Sequence, residues 1–232
     1  MSNTNSFNDP YTLNDAALAA ARKFLNDGHL EDLNRALEYC QQALRLVPSS
    51  DSNYPVLLNN WGYFMYLRYH HIGDVSNLKA AIDATQQALN ATSPTTPERP
   101  ARLRNLSLAL FDLYQCMGEM SDLITAINTI QQALSATSPS SPEHLEYLSI
   151  LGSEHLRFYE HTGRQGDLES GLAALQQSVD ATPLTSSNRP VYLNSLAGGL
   201  RLRYHHTNAL VDLQKGINAI QQALKRHSFY FL

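Results

Sequence analysis

The chain has 232 residues, with 17 Lys and Arg against 21 Asp and Glu, for a formal net charge of −4. That balance excludes nucleic acid as the main partner, because phosphate binding needs a basic face. No apolar run approaches the roughly 20 residues of a membrane span, and Met1 to Pro10 is polar, without the apolar stretch of a secretory signal.

Charged residues are 16% of the chain, where an ordinary soluble domain has about 25%. Asn, Gln, Ser and Thr take their place. Two cysteines, Cys40 and Cys116, make no disulfide framework. They fit a reducing, cytoplasmic compartment.

After a polar lead over residues 1–9, expected to be disordered, the chain repeats itself. Gln41-Gln42-Ala43-Leu44 recurs as Gln86-Gln87-Ala88-Leu89, Gln131-Gln132-Ala133-Leu134, Gln176-Gln177-Ser178-Val179 and Gln221-Gln222-Ala223-Leu224. Each copy lies 45 residues after the last. A fixed period of this size signals a stacked-repeat architecture. The repeats run 10–54, 55–99, 100–144, 145–189 and 190–232. The same frame aligns Leu33, Leu78, Leu123, Leu168 and Leu213, and beside them Asp32, Asn77, Asp122, Asp167 and Asp212. Another column is Phe24, Tyr69, Tyr114, Tyr159 and Tyr204, expected to be core.

Each repeat reads as two helices. In the second repeat the first helix spans about Pro55 to His71. Proline suits a first helical position, where no N–H is needed, and Pro10, Pro55, Pro100 and Pro190 share it, with Leu145 as the exception. Leu58, Trp61, Gly62 and Met65 give one packed face. Gly28, Gly73, Gly118, Gly163 and Asn208 mark the helix ends, since Gly and Asn tolerate the left-handed conformation of a C-terminal cap. The second helix spans about Asn77 to Asn90, with a buried stripe of Leu78, Ala81, Ile82, Thr85, Ala88 and Leu89. The Asp/Asn column either caps that helix or sits in its first turn. A Ser/Thr/Pro-rich loop follows. Amphipathic pairs of this kind bury their apolar faces only by stacking, so the expected fold is an all-α solenoid of five helix-turn-helix repeats.

The first helix carries Leu58-x2-Trp61-Gly62-x2-Met65, and Ala17, Gly62, Ser107, Gly152 and Ala197 keep one position small. The second carries Ala36-x3-Cys40, Ala81-x3-Thr85 and Ala126-x3-Ile130, with Gly171 and Gly216 in the small place of the later repeats. These residues resemble the tetratricopeptide repeat, with its W-x2-L-G-x2-Y and A-x3-F motifs. The period departs from the usual 34 residues. In this the chain is similar to the long variant in arrays beside CHAT-type cysteine peptidases and in fungal sensor proteins. HEAT and armadillo repeats, of about 40–47 residues, are the structural alternative. The resemblance implies a right-handed solenoid whose first helices line a concave groove.

That resemblance also implies which side chains face the groove. The mapped positions include Asn14, Asn59, Arg104 and Asn194, then Tyr63, then Tyr66, Phe111 and Arg201, then Arg22 and Arg157. Four arginines against Asp112 and Glu146 give this face an excess of two positive charges. The expected function is a non-catalytic protein–protein interaction scaffold binding a peptide, acidic in character, in the groove. The alternative is a structural, oligomerising or sensor segment of a longer array. That array would regulate a CHAT-type peptidase or nucleotide-binding effector domain outside this chain.

No phosphate loop, HExxH motif or triad spacing is present, and neither an enzyme activity nor a cofactor is expected. His71, Cys116, His161 and His206 form a column that reads in two ways. It is either a ladder of metal ligands or a set of residues suited to helix C-termini. Helix spacing of about 8–10 Å favours the second. The apolar ending Phe229-Tyr230-Phe231-Leu232 suggests end-to-end self-association. Gly171, Gly198, Gly199 and Gly216 lie inside helices and predict weaker C-terminal repeats.

Overall fold

A computed structural model describes residues 9–227, with side chains through Lys225. The lead up to residue 8 and the Phe229–Leu232 segment, to which the sequence assigns disorder and self-association, lie outside these residues. Ten helices and no strand occur among the described residues: α1 (Pro10–Asp27), α2 (Leu30–Leu46), α3 (Tyr54–Ile72), α4 (Val75–Asn90), α5 (Arg99–Met117), α6 (Met120–Ser135), α7 (Pro142–Thr162), α8 (Gln165–Ala181), α9 (Arg189–Thr207) and α10 (Leu210–His227). None is long and apolar enough to cross a membrane.

The punctuation seen in the sequence works as helix chemistry. Gly28, Gly73, Gly118 and Gly163 have φ between 69° and 77°, and Asn208 has φ 56°. Each ends a first helix in the left-handed conformation, and its N–H closes on the carbonyl of the aromatic column: Phe24, Tyr69, Tyr114, Tyr159 or Tyr204. Asp9, assigned by sequence to the lead, instead caps α1, accepting from Thr12 N at 2.8 Å. The exception at Leu145 also resolves. The helix there begins three residues earlier, at Pro142, and Ser141 caps it by accepting from His144 N at 3.1 Å.

Two compact units divide the chain, one ending at Asp122 and one beginning at Leu123. In the first, α1 pairs with α2, α3 packs on α2 and pairs with α4, and α5 packs on α4. Its core holds Ala17, Phe24, Leu33, Leu37, Cys40 and Phe64. In the second, α7 pairs with α8, α9 packs on α8, and α10 pairs with α9. Its core gathers Leu156, Leu168, Leu172, Leu175, Leu193 and Leu200. These are the stripes that the 3.6-residue period puts on one face of each helix. In both units the first helices lie side by side, α1 with α3, α3 with α5, and α7 with α9.

Candidate functional surface

In the first unit Asn14, Asn59 and Arg104, expected from the sequence to face a groove, join Asn60 and Asn105 in a polar rail. Asn60 Nδ2 on α3 donates to Asn14 Oδ1 on α1 at 2.8 Å. One repeat on, Asn105 Nδ2 on α5 donates to Asn59 Oδ1 on α3 at 3.2 Å, and Arg104 Nη1 donates to Asn105 Oδ1 at 3.1 Å. Both rungs join residues 46 positions apart, so the 45-residue period plus one step sets their register. An amide side chain has two donors and a two-lone-pair acceptor. A rung uses only part of that capacity.

Aromatic residues stand beside the rail. Tyr63 and Tyr66 line a narrow crevice with Asn105 and Leu108. The Tyr66 hydroxyl donates to Asp112, and burial, then the nearby carboxylate, pushes its phenol well above the ordinary tyrosine range. Asp112 is gripped from several sides. His70 Nε2 lies 2.9 Å from its Oδ2, and Gln115 Nε2 donates to Oδ1 at 3.3 Å. The His70 ring also meets Tyr66 edge-on at 4.5 Å. The structure thus brings Asn59, Tyr63, Tyr66 and Arg104 together on α3 and α5, with Phe111 half-buried farther along α5. Asn14 joins them through its rung, and Arg22 is exposed on α1.

In the second unit Arg157 is on α7 and pairs with Glu160 at 2.8 Å, one turn away. Its charge is therefore shared within its own helix. Asn194 and Arg201 lie on α9, and together they rim a hollow of about 460 Å³. Ala197, Gly198 and Gly216 form its small-residue part, with Leu213 and Ile217 of α10 along the side.

Other recurring residues hold the helices in place. The Asp/Asn column lies in the first turn of the second helices, and in three repeats it meets a cation nine residues earlier on the first helix. Lys23 Nζ lies 2.9 Å from Asp32, Arg68 Nη1 donates to Asn77 at 3.2 Å, and Arg203 grips Asp212 at 2.7 and 2.9 Å. In the fourth repeat Phe158 replaces the cation. His155 and Arg164 approach Asp167 at 3.1 and 3.3 Å instead, and Arg164 lies over the Phe158 ring. In the third repeat the position is Leu113, and burial, then Glu119, raises the Asp122 pKa. The sequence displays Lys23, Arg68 and Arg203 in one column, a signal that composition and spacing of the acids alone did not reveal. Arg99 and Arg189, also one column, donate to carbonyls at the ends of α4 and α8, including Leu89 O and Val179 O, beside the amides of Thr92 and Thr182.

Three members of the His/Cys column contact the aromatic column. His71 packs edge-on against Phe24 at 5.4 Å, Cys116 lies 2.9 Å from the Tyr69 hydroxyl, and His206 meets Tyr159 edge-on at 6.3 Å. Each contact spans 47 residues and joins a column member to the aromatic residue of the preceding repeat. Among the described residues no group of three or more His, Cys, Asp and Glu is arranged to hold a metal ion. Buried Cys40 donates to Leu57 O at 3.3 Å, and burial pushes its thiol up to about 12.

No family model and no curated protein matches the sequence. Solved structures match the fold. Nearly identical TPR-like repeats of a Podosopora anserina protein designated a kinesin light chain are 18% identical, cover 94% of this chain and 98% of theirs, and superpose with a TM-score of 0.65. BtubC from P. vanneervenii is 12% identical over 98% of this chain and 93% of its own, with a TM-score of 0.63. YrrB, a TPR protein with an unusual peptide-binding site, is 17% identical over 95% and 93%, with a TM-score of 0.60. The all-α helix-turn-helix architecture of this chain is the tetratricopeptide fold.

Proposed function

We propose that the chain is an interaction scaffold that binds a peptide segment of a partner protein along its first helices. The observation that carries this reading is the rail on α1, α3 and α5. Asn14, Asn59 and Arg104 recur at one helix position, their rungs leave amide donors and acceptors unused, and Tyr63 and Tyr66 stand beside them. A peptide backbone needs paired donors and acceptors, and an aromatic neighbour supplies an apolar anchor at small entropic cost. The peptide-binding site named for YrrB is consistent with this use of the fold.

The arginines favour an acidic ligand. Arg22 and Arg201 are exposed, whereas Arg157 is paired with Glu160. Asp112 reduces the positive character near Tyr66. In the first unit the acidic preference therefore rests on exposed Arg22.

Fluorescence anisotropy with acidic, neutral and basic peptide pools tests this directly. The acidic pool should bind the wild type, and Tyr63→Ala with Arg104→Glu should weaken it by about tenfold or more. Equal binding of all pools, or no loss in the double variant, removes the proposal.

A further inference from the structure

Residue 102 breaks the rule of its column. Leu57, Arg102, Tyr147 and Tyr192 hold one position in successive repeats, and all four are at most 5% exposed. Three of them are apolar or aromatic, and the fourth is a guanidinium. Arg102 Nη1 donates to the Thr92 hydroxyl, which is itself buried and donates to Ala88 O. Among the described residues no carboxylate hydrogen-bonds or pairs with Arg102. Burial pulls its pKa below the ordinary range, and nearby Glu98 acts in the opposite direction. A buried cation without an anionic partner costs free energy. Leu57, Tyr147 and Tyr192 show that the same place packs without a charge.

The charge opens onto a hollow. Arg102 lines a notch of about 590 Å³ between the α2–α3 and α4–α5 loops, with Ser50 and Ser52 on one side and Ser93 and Thr96 on the other. Two helices begin there, α3 at Tyr54 and α5 at Arg99, and neither Asn53 nor Glu98 caps its helix through its side chain. Helix starts favour an anion. The free N–H groups of a guanidinium form a fork that fits an oxyanion.

Two acids in the same notch choose the kind of anion. Asp51 and Glu98 also line it. Asp51 Oδ1 accepts from Asn53 N at 2.8 Å and from Asn53 Nδ2 at 3.2 Å, bonds that leave Oδ2 unused. Glu98 is exposed and lies four residues before Arg102, on the same face of the helix start. A doubly charged phosphate on Arg102 would sit beside two carboxylates that repel it. A carboxylate joined to an ammonium group is attracted by all three side chains.

We propose that this notch binds a small zwitterion of the amino-acid class, with Arg102 holding the carboxylate and Glu98 and Asp51 the ammonium. The site lies on the loop edge of the first unit and uses none of Asn14, Asn59, Tyr63 or Tyr66.

Amide chemical shifts of the labelled full chain test it. The titrants are a pool of free amino acids, the same pool N-acetylated, and inorganic phosphate. The free pool should shift residues 49–52 and 92–96 to saturation. The acetylated pool keeps the carboxylate but lacks the ammonium, and it should bind about tenfold or more weakly, as should phosphate. Arg102→Leu, the side chain that Leu57 supplies in its own repeat, should abolish the shifts and unfold at a midpoint equal to or above the wild type. Glu98→Gln, at an exposed position, should weaken the free pool and leave the acetylated pool unchanged. No saturable shift with the free pool, equal binding of the acetylated pool or phosphate, or shifts that persist in Arg102→Leu would overturn the proposal. So would a midpoint of Arg102→Leu well below the wild type, since the arginine would then serve the fold.

Discussion

Single glycines decide how closely two helices of a repeat approach. In the fourth repeat Gly152 on α7 faces Gly171 on α8. A Cβ at Gly152 would come 2.9 Å from Gly171 O and 2.6 Å from Leu175 Cγ, and a Cβ at Gly171 would come 2.9 Å from Gly152 O. Backbone atoms block both, so an added methyl must separate the helices. Gly198 is different, with nothing within 4 Å of its Cβ position, and at Gly216 the nearest atom is 3.6 Å away. These two bear the helix cost of glycine with no close approach to justify it. Gly198→Ala and Gly216→Ala should each raise unfolding free energy by up to about 1 kcal/mol. Gly152→Ala should lower it by about 1–3 kcal/mol. Urea unfolding midpoints report both signs, and a stabilising Gly152→Ala would contradict the close-approach account. The sequence placed all these glycines inside helices, but it could not separate those that permit contact from those that face open space.

At the scale of the helix pair, the Asp or Asn in the first turn of each second helix acts as a clasp. Where the matching position on the first helix is Lys23, Arg68 or Arg203, the clasp is closed. Arg203 holds the Asp212 carboxyl below its ordinary range, and Glu169 also reaches Arg203 at 3.1 Å. A depressed folded pKa contributes stability above the unfolded value of about 3.9, and that contribution is lost as pH falls through the folded value. Asp212→Asn should therefore destabilise at pH 7 and converge on the wild type in strong acid. Asp122 has the opposite sign. Its raised folded pKa costs stability at neutral pH and is relieved as pH falls. Leu113 stands where the other repeats carry a cation, so Leu113→Arg should add about 0.5–1 kcal/mol at pH 7. The gain should vanish in an Asp122→Asn background. A double-mutant cycle with no coupling between positions 113 and 122 would show that the clasp does not transfer between repeats.

Over the whole chain, the 45-residue period made the helices legible because each boundary depends on local chemistry: a proline start, a glycine or asparagine stop, an apolar stripe of period 3.6. Contacts between neighbouring repeats were less legible. The Asn60–Asn14 and Asn105–Asn59 rungs, and the packing of His71 on Phe24, arise at offsets of 46 and 47, set by how consecutive first helices lie against each other. Exposure of Leu213 on α10 was hidden for the same reason. Leu213 holds the same place in its repeat as Leu168, one residue after an Asp and three before a Gly, and tertiary packing is what separates their burial. In a repeat protein, stability is approximately a sum of intrinsic and nearest-neighbour terms. The α9–α10 pair has Gly198 and Gly216 in its helices and exposed Leu213, Ile217 and Leu224 on α10, so both terms are reduced. Native-state hydrogen exchange should then show lower protection in α9 and α10 than in α3 and α4, where Leu78, Ala81, Ala84 and Ala88 are buried. Combining Gly198→Ala with Gly216→Ala should raise protection selectively in α9 and α10, because it changes the intrinsic term of one repeat. Uniform protection in the wild type would sink the local account, and so would a gain in the double variant that spreads equally over α3 and α4.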